Sequence, residues 1–139
     1  MKALLLENIH PLAVESLERA GFEVELRAAS MSEDELIAAL PGISLLGIRS
    51  NTKVTETVLD AAGDLIAVGC FCIGTNQVDL AAAAARGVAV FNAPYSNTRS
   101  VAELGLAEAI MLLRGIPEKN ARAHQGGWLK SAKNSHEAR

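Results

Sequence analysis

Polar loops that follow three apolar segments hold the residues best suited to chemistry. Arg49 and Ser50 directly follow one apolar run, and Thr52 adds a second hydroxyl. Gly74 lies after the next run along the chain, and Asn97 lies after the run beyond it. An arginine guanidinium presents donors that match a carboxylate or a phosphate. A glycine lets the backbone approach a ligand closely or adopt a positive φ. Together these residue types predict a site for a small anion.

The apolar runs are the predicted strands of a parallel sheet. They span residues 2–6, 22–26, 43–48, 65–70 and 88–91, and segments of helical pattern separate them. This alternation is typical of an α/β fold in which right-handed crossovers place helices on both faces of the sheet. Because such folds bind ligands at the carboxyl ends of their strands, we expect the polar loops to meet at one edge.

Capping signals mark where the intervening helices begin. Pro11 suits the first position of a helix. Ser32 and Glu35 form a capping box. Thr55 and Asp79 are typical N-cap residues for the next two helices. The pattern thus predicts four helices between the five strands.

The sequence pattern changes after residue 97. Residues 98–114 predict one long helix with apolar side chains on more than one side, and residues 117–125 predict a second, shorter helix. The pattern predicts no strand beyond this point. We therefore expect a compact domain over residues 1–97 and a helical segment over residues 98–139.

The composition and charge of the chain argue against several classes of protein. Half of the 139 residues are apolar and the net charge is −3, so no basic field would attract nucleic acid. The sequence has no apolar run of the roughly 18 residues that a membrane span needs, and its first residues lack the pattern of a signal peptide. Cys70 and Cys72 are too close in sequence for a strain-free disulfide. We expect a cytoplasmic protein with neither nucleic-acid nor membrane partners.

The usual signals for acid–base, metal and dinucleotide chemistry are missing from the sequence. None of His10, His124 and His136 shares a motif with an acid or a nucleophile, so no general base is evident. The spacing typical of metal ligands is absent, and so is the G-x-G-x-x-G pattern of dinucleotide-binding loops. The sequence predicts no catalytic side chain and no metal site.

Three motifs nevertheless resemble one enzyme family. They are Ile48-Arg49-Ser50, residues 69–79 with the sequence GCFCIGTNQVD, and residues 91–103 with the sequence FNAPYSNTRSVAE. The chain resembles the NAD-dependent D-2-hydroxyacid dehydrogenases, in particular those that oxidise 3-phospho-D-glycerate to 3-phosphooxypyruvate in L-serine biosynthesis. The resemblance implies a flavodoxin-like substrate domain, followed by a crossing helix and an arm.

The resemblance also assigns roles to individual residues. The positions that match substrate contacts in that family are Arg49, Ser50, Gly74, Asn97, Trp128 and Lys130. Ile73 matches a position beside the nicotinamide of NAD. Trp128 and Lys130 match an arm that reaches the active site of the partner subunit, which implies a homo-oligomer in the intact enzyme.

Two hypotheses about the function follow from these motifs. In the family, the acid–base residues and the glycine-rich nucleotide loop lie further along than Arg139. The first hypothesis is therefore that the chain is the amino-terminal part of a dehydrogenase, inactive alone and unable to bind NAD alone. The second is a stand-alone binding module for a small phosphorylated or carboxylic acid. A phosphorelay receiver is disfavoured because Glu7-Asn8 and Arg49 stand where it needs acidic residues. A flavodoxin is disfavoured because residues 8–11 lack a phosphate loop rich in hydroxyls and glycine.

Overall fold

The computed structural model describes residues 1–128 and Lys130. The chain divides into two compact units, Met1–Ser96 and Asn97–Arg139, called here the first and second unit. The first unit contains all the strands that the structure describes, and the second contains two helices.

The first unit is built on a five-stranded parallel sheet. Its strands are β1 (Lys2–Leu5), β2 (Glu23–Leu26), β3 (Ile43–Ile48), β4 (Ala67–Cys70) and β5 (Ala89–Asn92). The order across the sheet is β2-β1-β3-β4-β5, and every neighbouring pair is parallel. This is the order of flavodoxin-like sheets, so the predicted fold class is confirmed.

Four helices connect the strands, and each begins where the sequence predicted: Pro11 is the first residue of its helix, and Ser32, Thr55 and Asp79 are N-caps. The helices are α1 (Pro11–Arg19), α2 (Glu33–Ala39), α3 (Glu56–Ala61) and α4 (Leu80–Ala85). The capping box of α2 is complete, since the Ser32 hydroxyl accepts from the backbone of Glu35 and the Glu35 carboxylate accepts from the backbone of Ser32. The side chains of Thr55 and Asp79 cap α3 and α4 by accepting from the backbone N–H groups of Val58 and Ala82.

The core lies between the central strands and the helices that cover them. Leu4, Leu46 and Val68 come from β1, β3 and β4 and are fully buried, as are Leu36 of α2 and Val58 of α3. All these core side chains are apolar. The polar residues at the carboxyl edge of the sheet therefore take no part in the core.

The second unit consists of α5 (Thr98–Leu113) and α6 (Ile116–His124). Gly115 joins them with φ of +56°, a conformation that favours glycine. Arg99 and Glu103 form an ion pair one turn apart on α5, with 2.7 Å between Nε and Oε1. Among the described residues, no helix has the length and apolar character that crossing a membrane requires.

Candidate anion site at the carboxyl edge of the sheet

A polar hollow of about 350 Å³ opens where β1, β2 and β3 end. The residues that line it are Glu7, Asn8, Ala28, Ser30, Arg49, Ser50 and Asn51. Arg49 and Ser50 are exposed. Within the part of the chain that the structure describes, the Arg49 guanidinium makes no ion pair. An unpaired guanidinium in a polar hollow is suited to bind a small carboxylate or phosphate.

The carboxylate of Glu7 holds the β3 loop, defined here as residues 49–52. Glu7 follows β1 closely in sequence and is only 7% exposed. Its oxygens accept three backbone hydrogen bonds, at 3.2 Å from Arg49, 3.0 Å from Asn51 and 2.9 Å from Thr52. Burial alone raises the pKa of Glu7, but these N–H donors outweigh it and hold the pKa below its ordinary value. Glu7 is therefore ionised at neutral pH.

Gln77 joins the β3 loop to the β4 loop, defined here as residues 71–78. The Gln77 side chain is buried. Its Nε2 donates to the carbonyl of Arg49 at 2.7 Å and lies 3.4 Å from the carbonyl of Gly74 and 3.2 Å from the sulfur of Cys72. The backbone at Arg49 is thus held at its N–H by Glu7 and at its C=O by Gln77.

The end of β5 braces the β4 loop from the other side. The Asn92 side chain donates to the carbonyl of Ile73 at 2.7 Å, and the backbone N–H of Ala93 donates to the carbonyl of Cys72 at 3.0 Å. Phe71 and Ile73 of this loop are about half exposed, at 43% and 44%. The Phe71 ring would lie 3.1 Å and 3.3 Å from a Cβ on Gly47 and Gly69, so it packs over β3 and β4.

Two expectations about single residues are corrected by the structure. Gly74 does not adopt a positive φ. A Cβ on Gly74 would instead lie 2.8 Å from the side-chain oxygen of Asn76, so close packing explains the glycine. Thr52 is fully buried and offers no hydroxyl to a ligand. Its hydroxyl makes no hydrogen bond of standard geometry to any described residue, although it also lowers the pKa of Glu7.

The cysteines have structural environments and form no disulfide with each other. Cys70 is buried at the end of β4, and burial raises the pKa of its thiol to about 11. The neighbouring thiol of Cys72 acts in the same direction. Because the thiolate is the nucleophilic form of cysteine, Cys70 is unsuited to nucleophilic chemistry.

The other predicted site residues belong to the second unit. Asn97 occupies the N-cap position of α5, and its side chain makes no capping hydrogen bond to the residues described. Trp128 is 84% exposed and Lys130 is exposed as well. Their roles as substrate contacts remain predictions.

Sequence reasoning missed three polar residues that support the site, of which Glu7 and Gln77 are buried and Asn92 is exposed. Glu7, Gln77 and Asn92 each bond the backbone of a loop that carries a predicted site residue. Glu7 carried a usable signal, because a carboxylate at the end of an apolar strand needs a partner when it is buried. Gln77 and Asn92 carried none, since a polar residue in a loop is ordinarily solvated.

The residues present fit only part of a nicotinamide cofactor. Ile73 is apolar and about half exposed, which suits one face of a nicotinamide ring. The sequence carries no glycine-rich loop of the type that holds a pyrophosphate. For metals, no cluster of three or more His, Cys, Asp or Glu side chains occurs among the described residues.

Comparison with known proteins identifies the family. The family model for the catalytic domain of D-isomer specific 2-hydroxyacid dehydrogenases matches residues 3–139. The chain therefore belongs to this family, as the motifs in its loops indicated.

Individual relatives show how similar this chain is to members of the family and how much of them it covers. The D-3-phosphoglycerate dehydrogenase of Escherichia coli strain K12 is 53% identical over the whole chain, which covers 34% of that enzyme. The chain thus spans about a third of the length of the curated relatives it matches. A solved protein of Thermus thermophilus superposes with a TM-score of 0.80 at 29% identity, over 96% of this chain and 43% of that one.

A second solved structure was determined with NAD bound to the neighbour. The NAD-dependent formate dehydrogenase of Staphylococcus aureus, solved in complex with NAD, has a TM-score of 0.78 at 26% identity. The match covers 99% of this chain and 45% of that enzyme.

Proposed function

We propose that this chain is the substrate-binding part of an NAD-dependent D-3-phosphoglycerate dehydrogenase and that it binds 3-phospho-D-glycerate, the substrate on a route to L-serine. The observation that carries the proposal is that the exposed Arg49 lines a polar hollow at the carboxyl edge of the sheet and makes no ion pair with the residues that the structure describes. The identity of 53% to the E. coli enzyme supports the choice of substrate.

In this proposal Arg49 is the main anion contact. Its guanidinium pairs with the phosphate or the carboxylate of the substrate, while the hydroxyl of Ser50 and the backbone at Gly74 bind the remaining oxygens. Asn97 adds a side-chain amide. Trp128 and Lys130 act from an arm that reaches the substrate of a partner subunit, as the resemblance implies for a homo-oligomer in the cytoplasm.

Oxidation of the substrate requires groups that these 139 residues do not supply. NAD accepts the hydride in the family enzymes, and Ile73 is assigned to the nicotinamide side of the site. A general acid–base pair and a cradle for the pyrophosphate belong to a nucleotide-binding domain. We therefore propose that this chain binds substrate without oxidising it and does not bind NAD measurably on its own.

A calorimetric titration of 3-phospho-D-glycerate into this chain tests the proposal. We expect Arg49→Ala to weaken binding by about 1.5–3 kcal/mol, or roughly tenfold to 150-fold, because a charged hydrogen bond is lost. Arg19→Ala is the matched control, since Arg19 is an exposed arginine on α1 outside the residues that line the hollow. Equal binding by the wild type and Arg49→Ala contradicts the assignment.

A stand-alone binding module is the second candidate function. It is favoured by the fact that the polar hollow is lined by residues of the first unit alone. Light scattering separates the two, because a substrate-binding part severed from its dehydrogenase is expected to associate through the exposed apolar side chains of α5, whereas a self-sufficient module stays monomeric. Micromolar binding of NAD to this chain would contradict the proposal that it does not bind the cofactor on its own.

A further inference from the structure

The backbone around Glu7 is unusual for residues other than glycine. Glu7 and Asn8 both adopt positive φ, at 62° and 54°. Such conformations cost energy in residues with a side chain, and they persist where the surrounding structure enforces them. The N–H of Leu6 donates to the carbonyl of Gly47 at 2.9 Å, so the segment is still paired to β3 one residue before the turn. The turn therefore begins where β1 meets the β3 loop.

The carboxylate of Glu7 is committed to the β3 loop. Three backbone N–H groups of residues 49–52 converge on its two oxygens at 2.9 to 3.2 Å. The ionised form is favoured by this arrangement, as the lowered pKa of Glu7 indicates. Because Glu7 carries no proton at neutral pH and its oxygens already accept several donors, its geometry suits a structural anchor rather than a general acid.

Glu7 shares the hollow with one cationic side chain. Of the residues lining the hollow, Arg49 is the only one with a positive charge, and Glu7 is the only one with a negative charge. The Glu7 carboxylate bonds the backbone N–H of Arg49, so the Arg49 guanidinium is left without an ion pair among the described residues. The Glu7 carboxylate thus holds the backbone of Arg49 in place without using the N–H donors of its guanidinium.

We propose that Glu7 is a positioning residue for Arg49: its carboxylate fixes the backbone of the β3 loop so that the guanidinium is preorganised to bind the anion. The proposal rests on the proposed function, because the anion is the phosphate or carboxylate of the substrate. Preorganisation raises affinity because the ligand no longer has to order the loop.

Glu7→Gln is the variant that tests the proposal. The side-chain amide keeps the volume but offers a single acceptor oxygen, and its NH₂ group faces backbone N–H donors. Asp64→Asn is the matched control. The Asp64 carboxylate also accepts a backbone N–H, that of Gly42 at 3.0 Å, but at the amino end of β3, opposite the hollow.

Titration with 3-phospho-D-glycerate, followed by NMR, gives the first readout. We expect Glu7→Gln to raise the Kd for 3-phospho-D-glycerate by about threefold to thirtyfold. This is the usual size of effect for a residue that acts on a ligand through a neighbouring residue. Asp64→Asn is expected to bind like the wild type. Equal affinity of Glu7→Gln and the wild type overturns the positioning role. Failure of the wild type to bind overturns the proposed function instead.

A pH titration of the unliganded wild type gives a second readout, which needs no variant. We expect the amide signals of Arg49, Asn51 and Thr52 and the Nε–H signal of Arg49 to shift together, with one midpoint below the ordinary pKa of glutamate. A merely structural role for Glu7 would leave the Arg49 side-chain signal unmoved. If that signal does not follow the amides, Glu7 does not position the guanidinium. This result does not depend on whether the wild type binds the substrate or on whether Glu7→Gln folds.

Discussion

The two units of the chain differ in whether their apolar residues are buried. In the first unit, the strands and helices bury a contiguous cluster of apolar side chains, and many of them are completely inaccessible. In the second unit, neither α5 nor α6 contains a buried residue. The exposed apolar side chains of α5 are Val101, Leu104, Leu106, Ile110, Met111, Leu112 and Leu113.

The two units therefore differ in what they need in order to be stable. A helix that is apolar around its circumference is ordinarily buried, and exposed apolar patches of several hundred Å² ordinarily mark a surface that binds another protein. The first unit has its own core and can position a site. The second unit has apolar surface that α5 and α6 do not cover by packing on each other.

The largest expected difference between the two units comes from making the same substitution once in each. Leu46→Ala in β3 removes a fully buried side chain, and we expect it to lower the free energy of unfolding by about 2–5 kcal/mol. Leu106→Ala in α5 truncates a side chain that is 65% exposed, and we expect a change within about 0.5 kcal/mol. Urea unfolding followed by circular dichroism measures both. Similar losses for the two variants would show that α5 is packed like the core.

The apolar surface of α5 is expected to cause self-association. Light scattering over a range of concentrations should show a mass above that of the monomer. Replacing two exposed leucines, Leu106→Glu with Leu112→Glu, should lower that mass by placing charges on different sides of the helix. Leu12→Glu, which changes an exposed leucine of α1, is the control and should leave the mass unchanged. A wild type that stays monomeric contradicts this expectation.

The smallest expected effect is a pH dependence confined to the first unit. The pKa values of Glu7 and Glu35 are both lowered from an ordinary value of 4.5. For Glu35 the cause is the backbone N–H of Ser32, followed by the Ser32 hydroxyl. A lowered folded-state pKa stabilises the fold above the unfolded pKa, and the contribution is lost as pH falls through the folded pKa.

Stability should therefore decline below about pH 4.5 and decline less steeply in the Glu7→Gln and Glu35→Gln variants. Unfolding by urea at several pH values between neutral and acidic measures the slopes. Slopes that are identical in the wild type and both variants would show that neither carboxylate has a pKa below that of the unfolded chain.

The fold was predictable because its signals are local. Apolar runs gave the strands, and Ser32, Thr55 and Asp79 gave the helix starts, since capping depends on residues that are adjacent in sequence. The bounds shifted by one or two residues where strands fray, as at β4, which begins at Ala67 rather than at residue 65.

The candidate site was only partly predictable, because its support comes from distant parts of the chain. Arg49 was evident from its place after a strand. Glu7 lies 42 residues away from Arg49, and Gln77 lies 28 residues away. Hydrogen bonds over such separations depend on the sheet order, which no local pattern encodes. The burial of Thr52 escaped prediction for the same reason.

Mapping the bound ligand by NMR tests whether an anion binds at the carboxyl edge of the sheet through Arg49. When 3-phospho-D-glycerate is added to this chain, we expect the largest NMR shifts at the amides of residues 49–52 and 73–74 and at the Arg49 Nε–H. Signals at the amino edge, such as Gly42, should stay in place. Largest shifts at the amino edge, or no shifts at saturating ligand, would contradict the account.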